Sequence, residues 1–151
     1  MLDKSTPLLY DKAMKKLIIF RGPSGSGKST AAKALGGLHF EADEFFMRSG
    51  TYVFEANKLS QAHADCQRRV REAVSSEKEL VVVSNTSMTR WELTPYLQMA
   101  KEFDYEVTIY RIKGPWDAKL FASRNTHGVT KEIVQRQINK YQPLESEQEY
   151  A

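Results

Sequence analysis

The run Gly22-Pro23-Ser24-Gly25-Ser26-Gly27-Lys28-Ser29-Thr30 has the residue types and spacing needed to hold a polyphosphate. It fits G-x-x-x-x-G-K-[ST] without a mismatch. Glycines let the backbone curl so that successive N–H groups point inward at phosphate oxygens. The start of a following helix adds partial positive charge. Lys28 is expected to reach the β- and γ-phosphates of a nucleoside triphosphate, and the Ser29 hydroxyl to enter the shell of a Mg²⁺ ion. Gly22, Ser24, Gly25, Ser26, Gly27, Lys28, Ser29 and Thr30 are therefore the candidate ATP-binding set. At average residue usage the bare pattern arises by chance in roughly one chain of this length in a few hundred.

Three further side chains could complete a phosphoryl-transfer site. Asp43 follows a short β-rich run, fifteen residues after Lys28. A carboxylate there could accept the proton of an attacking hydroxyl and help to hold Mg²⁺. The alternative role for Asp43 is a helix N-cap. The apolar run Leu80–Val83 is followed by Ser84-Asn85-Thr86, without the aspartate that closes the equivalent strand of many P-loop ATPases. That absence weakens a motor-ATPase reading and makes Asp43 more necessary to the metal. Arg124 precedes His127-Gly128 and could neutralise charge on a transferring phosphoryl group from a mobile segment. The alternatives are an exposed helical arginine and, for His127, an exposed loop histidine.

The elements that must position these residues alternate between β-rich and helical stretches. Leu17–Phe20, His39–Ala42, Leu80–Val83 and Glu106–Ile112 read as strands. Helices are expected over Ser29–Leu35, Asn57–Ser75, from a capping box at Thr89 and Glu92 to about Phe103, from Pro115 to Asn125, and from Thr130 to Tyr141. Leu59, Ala62, Cys66, Val70, Ala73 and Val74 recur at helical spacing and define a core face. Cys66 on that face is expected to be a buried apolar residue rather than a reactive thiol. The Val-rich run at 80–83 lacks alternation, as a strand buried on both faces of a parallel sheet should. The fold class expected is α/β, a three-layer sandwich with a mainly parallel sheet of four to five strands, of P-loop kinase type. Such sheets place their ligand crevice at the carboxyl ends of the strands, where the residues named above fall.

Composition sets the outer bounds. A chain of 151 residues with 41% hydrophobic and 27% charged residues suits one compact domain spanning 1–151. Residues 1–15 read as an N-terminal extension and 144–151 as an acidic tail. The net charge of +3 is mild, but residues 111–141 carry seven Lys or Arg against two acids. That stretch could grip nucleotide or polynucleotide, or form a solvated helical face. One cysteine, no secretory leader and no long apolar run together suggest a cytoplasmic protein without a membrane contact.

The ordered segments GPSGSGKST, FEADEFF, VVVSNTS, AKEFDYEVTIYRIKGPW and SRNTHGV resemble the P-loop kinase family of phage 5′-polynucleotide kinase domains and NEDD4-binding-protein-2-like kinases. The likeness runs from about Lys16 to Pro143. It implies transfer of the ATP γ-phosphate to a hydroxyl, typically the 5′-OH of a nucleic acid. It also implies that Lys28 and Ser29 serve phosphate and metal, that Asp43 is the general base, and that Arg124 is a lid arginine on the phosphates. Two positions depart from the phage pattern. Phe46 stands where an arginine contacts the acceptor's phosphate, and Asn85 where there is an aspartate. Arg48 and Asn85 become the candidates for acceptor contacts. A small-molecule kinase for a nucleoside or nucleotide, and a nucleotide-binding or NTPase module acting through a partner, are the alternative functions.

Overall fold

Alternating apolar residues in the first strand decide the layering. In a computed structural model that describes residues 14–48 and 50–151, β1 (Lys16–Arg21) lies at the centre of the sheet. Leu17 and Ile19 face one side, and Ile18 and Phe20 the other. This is the period-2 alternation of a strand covered on both faces.

The sheet has five strands, all parallel, in the order β2-β5-β1-β6-β7. Strands β2 (Leu38–Phe40), β5 (Leu80–Val83), β6 (Glu106–Ile112) and β7 (Gln148–Tyr150) complete it. A separate two-stranded hairpin pairs β3 (Met47–Arg48) with β4 (Thr51–Tyr52). Helix α1 (Lys28–Ala34) covers the Phe20 face through Ala32. Helices α2 (Leu59–Ser75) and α3 (Arg90–Glu102) cover the opposite face. There Ala62, Cys66, Val70, Leu93, Tyr96 and Met99 pack against Leu17, Ile19, Val81 and Val83. Helices α4 (Ala118–Arg124) and α5 (Lys131–Lys140) share a small core of their own, made by Ala118, Phe121 and Val134. The α/β parallel architecture expected from the sequence is the one observed.

Three local expectations change. Residues 41–46 do not extend β2: the chain turns into a 3₁₀ segment, Ala42–Phe46, capped by Glu41 and Glu44. Helix α4 does not begin at Pro115. The Gly114–Pro115 peptide is cis, and the Asp117 carboxylate caps the helix by accepting from Leu120 N at 3.1 Å. Residues 144–151 are not a free acidic tail. Gln148–Tyr150 is the fifth strand, Leu144 packs on the core, and Glu147 pairs with the buried Arg21 at 2.6 Å. The expected N-terminal extension lies, up to residue 13, outside the described residues.

Candidate active site

The loop between β1 and α1 is shaped by positive φ. Gly25 and Gly27 sit at φ 80° and 98°, a region that glycine enters without steric cost. Gly25 is also pressed against a neighbour: a Cβ there would lie 2.1 Å from the Phe121 carbonyl oxygen. The loop thereby touches the end of α4. Lys28 is buried, and its Nζ donates to the Pro23 carbonyl at 3.1 Å across the cradle. Burial lowers its pKa to about 8, against the opposing pull of the Glu41 and Asp43 carboxylates. The buried Ser26 hydroxyl has no hydrogen-bond partner within the protein, as a donor reserved for a ligand would.

A carboxylate does stand beside Ser29, and it is not Asp43. The Glu41 Oε2 accepts from Ser29 Oγ at 2.5 Å and from Ser84 Oγ at 3.1 Å. The side chains of Glu41 and Ser29 thus form the oxygen-rich corner that a Mg²⁺ ion shared with phosphates requires. Reading 39–42 as a plain strand hid Glu41. The signal was available: Glu41 and Glu44 are three apart and form a reciprocal cap.

Asp43 faces the opposite wall of the cleft. Its Oδ1 accepts from the Tyr52 hydroxyl at 3.1 Å, and its Oδ2 lies 3.0 Å from His127 Nδ1. The Tyr52 and His127 rings stack at 4.0 Å, only 8° from parallel. Burial, and then the Asp43 carboxylate, push the Tyr52 phenol well above its usual range, so it remains a donor. Tyr52 had no assigned role in the sequence and His127 only a marginal one. Both are found on the candidate base.

Arg124 reaches the P-loop from the end of α4, donating from Nη2 and Nε to the Gly25 carbonyl at 3.0 and 3.3 Å. From α5, Gln137 accepts from Ser24 N at 2.8 Å and donates to Ser24 Oγ at 3.0 Å. The α4–α5 unit is therefore a cap over the loop. Lys113, Arg124, Arg136 and Lys140 line the cleft from this basic stretch. The cleft itself encloses about 1170 Å³.

The expected acceptor residues fall elsewhere. Asn85 is buried and spends its amide inside the protein. Its Oδ1 accepts from Ala42 N at 2.7 Å, while Nδ2 points to Tyr96 Oη at 3.4 Å and Cys66 Sγ at 3.7 Å. It anchors the 3₁₀ turn that carries Asp43. Phe46 is fully buried in the core, so the place of the phage arginine is structural here. Arg48 belongs to β3. Cys66 is buried as expected, and burial pushes its thiol up.

A P-loop closed by a helical cap, on a five-stranded parallel sheet, defines a P-loop kinase fold. The chain belongs to the AAA domain family designated AAA_33, whose match covers residues 17–144. Human NEDD4-binding protein 2 is 34% identical over 134 residues, which is 83% of this chain and 8% of that protein. The chain thus spans a small part of that relative. Among solved structures, the Pnkp1/Rnl/Hen1 RNA repair complex superposes with a TM-score of 0.65 at 16% identity, over 84% of this chain and 44% of that one. A sugar kinase from Janibacter sp. HTCC2649 gives 0.60 at 18% identity, over 90% and 84%. Among the described residues, no helix is long and apolar enough to cross a membrane.

Proposed function

We propose that this protein is an ATP-dependent kinase that transfers the γ-phosphate to a hydroxyl, the preferred acceptor being the 5′-OH of a polynucleotide. The observation that carries the reading is the convergence on one cleft of Lys28, Arg124 and Asp43, with Asp43 held by the same capping unit that carries Arg124.

In this reading the P-loop amides and Lys28 hold the β- and γ-phosphates. Ser29 and Glu41 would hold a Mg²⁺ ion, which when bound offsets charge on the phosphates. Asp43 takes the proton of the acceptor hydroxyl as its oxygen bonds to the γ-phosphorus. The bond from that phosphorus to the β–γ bridging oxygen breaks, and ADP leaves. Tyr52 and His127 hold one donor each on Asp43, leaving each oxygen a lone pair for the acceptor. Arg124 meets the charge that develops on the phosphoryl oxygens.

The name of the RNA repair complex and the likeness to NEDD4-binding protein 2 support the polynucleotide acceptor. The burial of Phe46 favours a second reading, a kinase for a nucleoside or other small hydroxyl compound, since no arginine occupies that place. Incubation with γ-labelled ATP, a 5′-OH oligonucleotide and competing nucleosides separates the two. Label on the oligonucleotide that nucleosides fail to suppress supports the first reading. Label only on a nucleoside supports the second, and no transfer from a protein that binds ATP refutes both.

A further inference from the structure

Trp91 is 82% exposed on the first turn of α3. A tryptophan left that open is unusual in a folded domain and calls for a ligand. It is not isolated. It lines a groove of about 510 Å³ between α2 and α3, together with Leu59, His63, Pro95 and Tyr96. That volume is in the range of small-molecule sites. The groove shares Leu59, His63, Asn85 and Glu92 with the main cleft, so the two form one continuous surface. Whatever lies in the groove can therefore be joined to a hydroxyl in the cleft that Asp43 lines.

The lining chemistry narrows the occupant. No Lys or Arg lines the groove, and its only ionisable side chains are His63, Glu92 and Tyr96. Glu92 is committed to the N-cap of α3, where it accepts from Thr89 N at 2.8 Å. The cations of the cleft lie instead on the capping unit and the P-loop. Such a groove repels a phosphate and accepts a flat, neutral, polarisable group. We propose that it is the acceptor's base pocket, in which the terminal nucleobase stacks on the Trp91 indole. The proposal rests on the kinase reading above and names the part of the acceptor that this chain recognises. It also replaces the contacts expected from Asn85 and the Phe46 position, because stacking needs neither an amide nor an arginine.

The test uses the full chain with Trp91→Ala, Trp91→Leu and Trp91→Phe. Base–aromatic stacking predicts that alanine raises KM for a 5′-OH oligonucleotide by about tenfold or more. Saturating kcat and KM for ATP should stay within about twofold of wild type, because Trp91 touches neither the donor nor Asp43. Phenylalanine should recover most of the loss and leucine little of it, a pattern that mere packing would not give. A direct reading comes from Trp116→Phe, which leaves Trp91 as the chain's remaining tryptophan. Its fluorescence should be quenched saturably by oligonucleotide or mononucleoside. Wild-type KM in Trp91→Ala, or no quenching by either ligand, overturns the proposal. If transfer goes to nucleosides only, the same rise in their KM sustains the base pocket while the polynucleotide reading fails.

Discussion

Lys28 is a cation held in a buried place before any anion arrives. Its pKa, lowered to about 8 by burial, gives two opposite pH effects. The ordinary lysine value of 10.5 applies in the unfolded chain, so between about pH 8 and 10.5 the unfolded state binds more protons. The stability of the empty protein should therefore rise with pH across that window, the penalty being fully present below pH 8. Nucleotide binding needs the ammonium, so affinity should be level below about pH 8 and fall above it. Lys28→Met should abolish that fall with the binding itself, yet raise the melting temperature of the empty protein at pH 7. The gain is at most roughly 3 kcal/mol, less the lost bond to Pro23. A melting temperature lowered by the change would show that Lys28 supports the empty loop. Asp43 belongs to the same scale. Asp43→Asn should leave nucleotide affinity within a few-fold, since the carboxylate meets Tyr52 and His127 rather than the loop. Transfer should drop by about 10² to 10⁴ as the proton acceptor is lost. Wild-type transfer in this variant would remove Asp43 as the base. His127→Asn, which keeps a donor near Oδ2, should cost less in kcat than His127→Ala.

Two elements meet where Gly25 touches the Phe121 carbonyl, and that contact joins the loop to the cap. Gly25→Ala places a methyl 2.1 Å from a backbone oxygen at φ +80°. Gly36→Ala has nearly the same φ, 79°, but opens into free space. The second change should cost only the left-handed strain, about 1 to 2 kcal/mol. The first should cost clearly more and weaken nucleotide binding several-fold, because cap and loop must separate. Equal melting temperatures for the two variants would refute the contact. The glycine pattern made this loop legible in the sequence, as the apolar runs at 17–20 and 80–83 made the central strands legible. What escaped has a physical reason. The strand Gln148–Tyr150 is short and polar and is held by Arg21, Arg111 and Phe20 from distant parts of the chain. Glu41 faces Ser29 only because Ala42 turns away to meet Asn85. The Asp117 cap displaced the start expected at Pro115 because a side-chain acceptor aimed at Leu120 N outweighs a fixed φ. Each of these depends on a partner that no local window contains.

At the scale of the whole molecule, the C-terminal strand is bolted to the root of the P-loop. Arg21 is the last residue of β1 and is fully buried. Its guanidinium donates to the Ser87 and Met88 carbonyls at 2.8 and 3.1 Å and to Glu147 at 2.6 Å, and it lies 4.7 Å from the Tyr141 ring centroid. Glu147 also accepts from the Tyr141 hydroxyl. Tyr150, in the strand that follows, packs on Phe20 and lines the cleft. Removing one partner of such a pair strands a buried charge, which costs about 3 to 5 kcal/mol. Glu147→Ala should therefore lower the melting temperature by on the order of 10 °C in a chain of this size. Nucleotide affinity should fall with it, since β7 helps to wall the cleft and Gly22 directly follows Arg21. The double change Arg21→Met with Glu147→Leu should recover part of the stability, because a buried ion pair resists the loss of one member more than the loss of both. Thermal melts of the three variants with and without nucleotide decide the matter. If Glu147→Ala melts with the wild type, the strand is held by Phe20 and Tyr110 alone. If the double variant melts lower than the single, the pair's value lies in the two carbonyls at 87 and 88 that Arg21 satisfies, and the bolt is a hydrogen-bond donor rather than a charge.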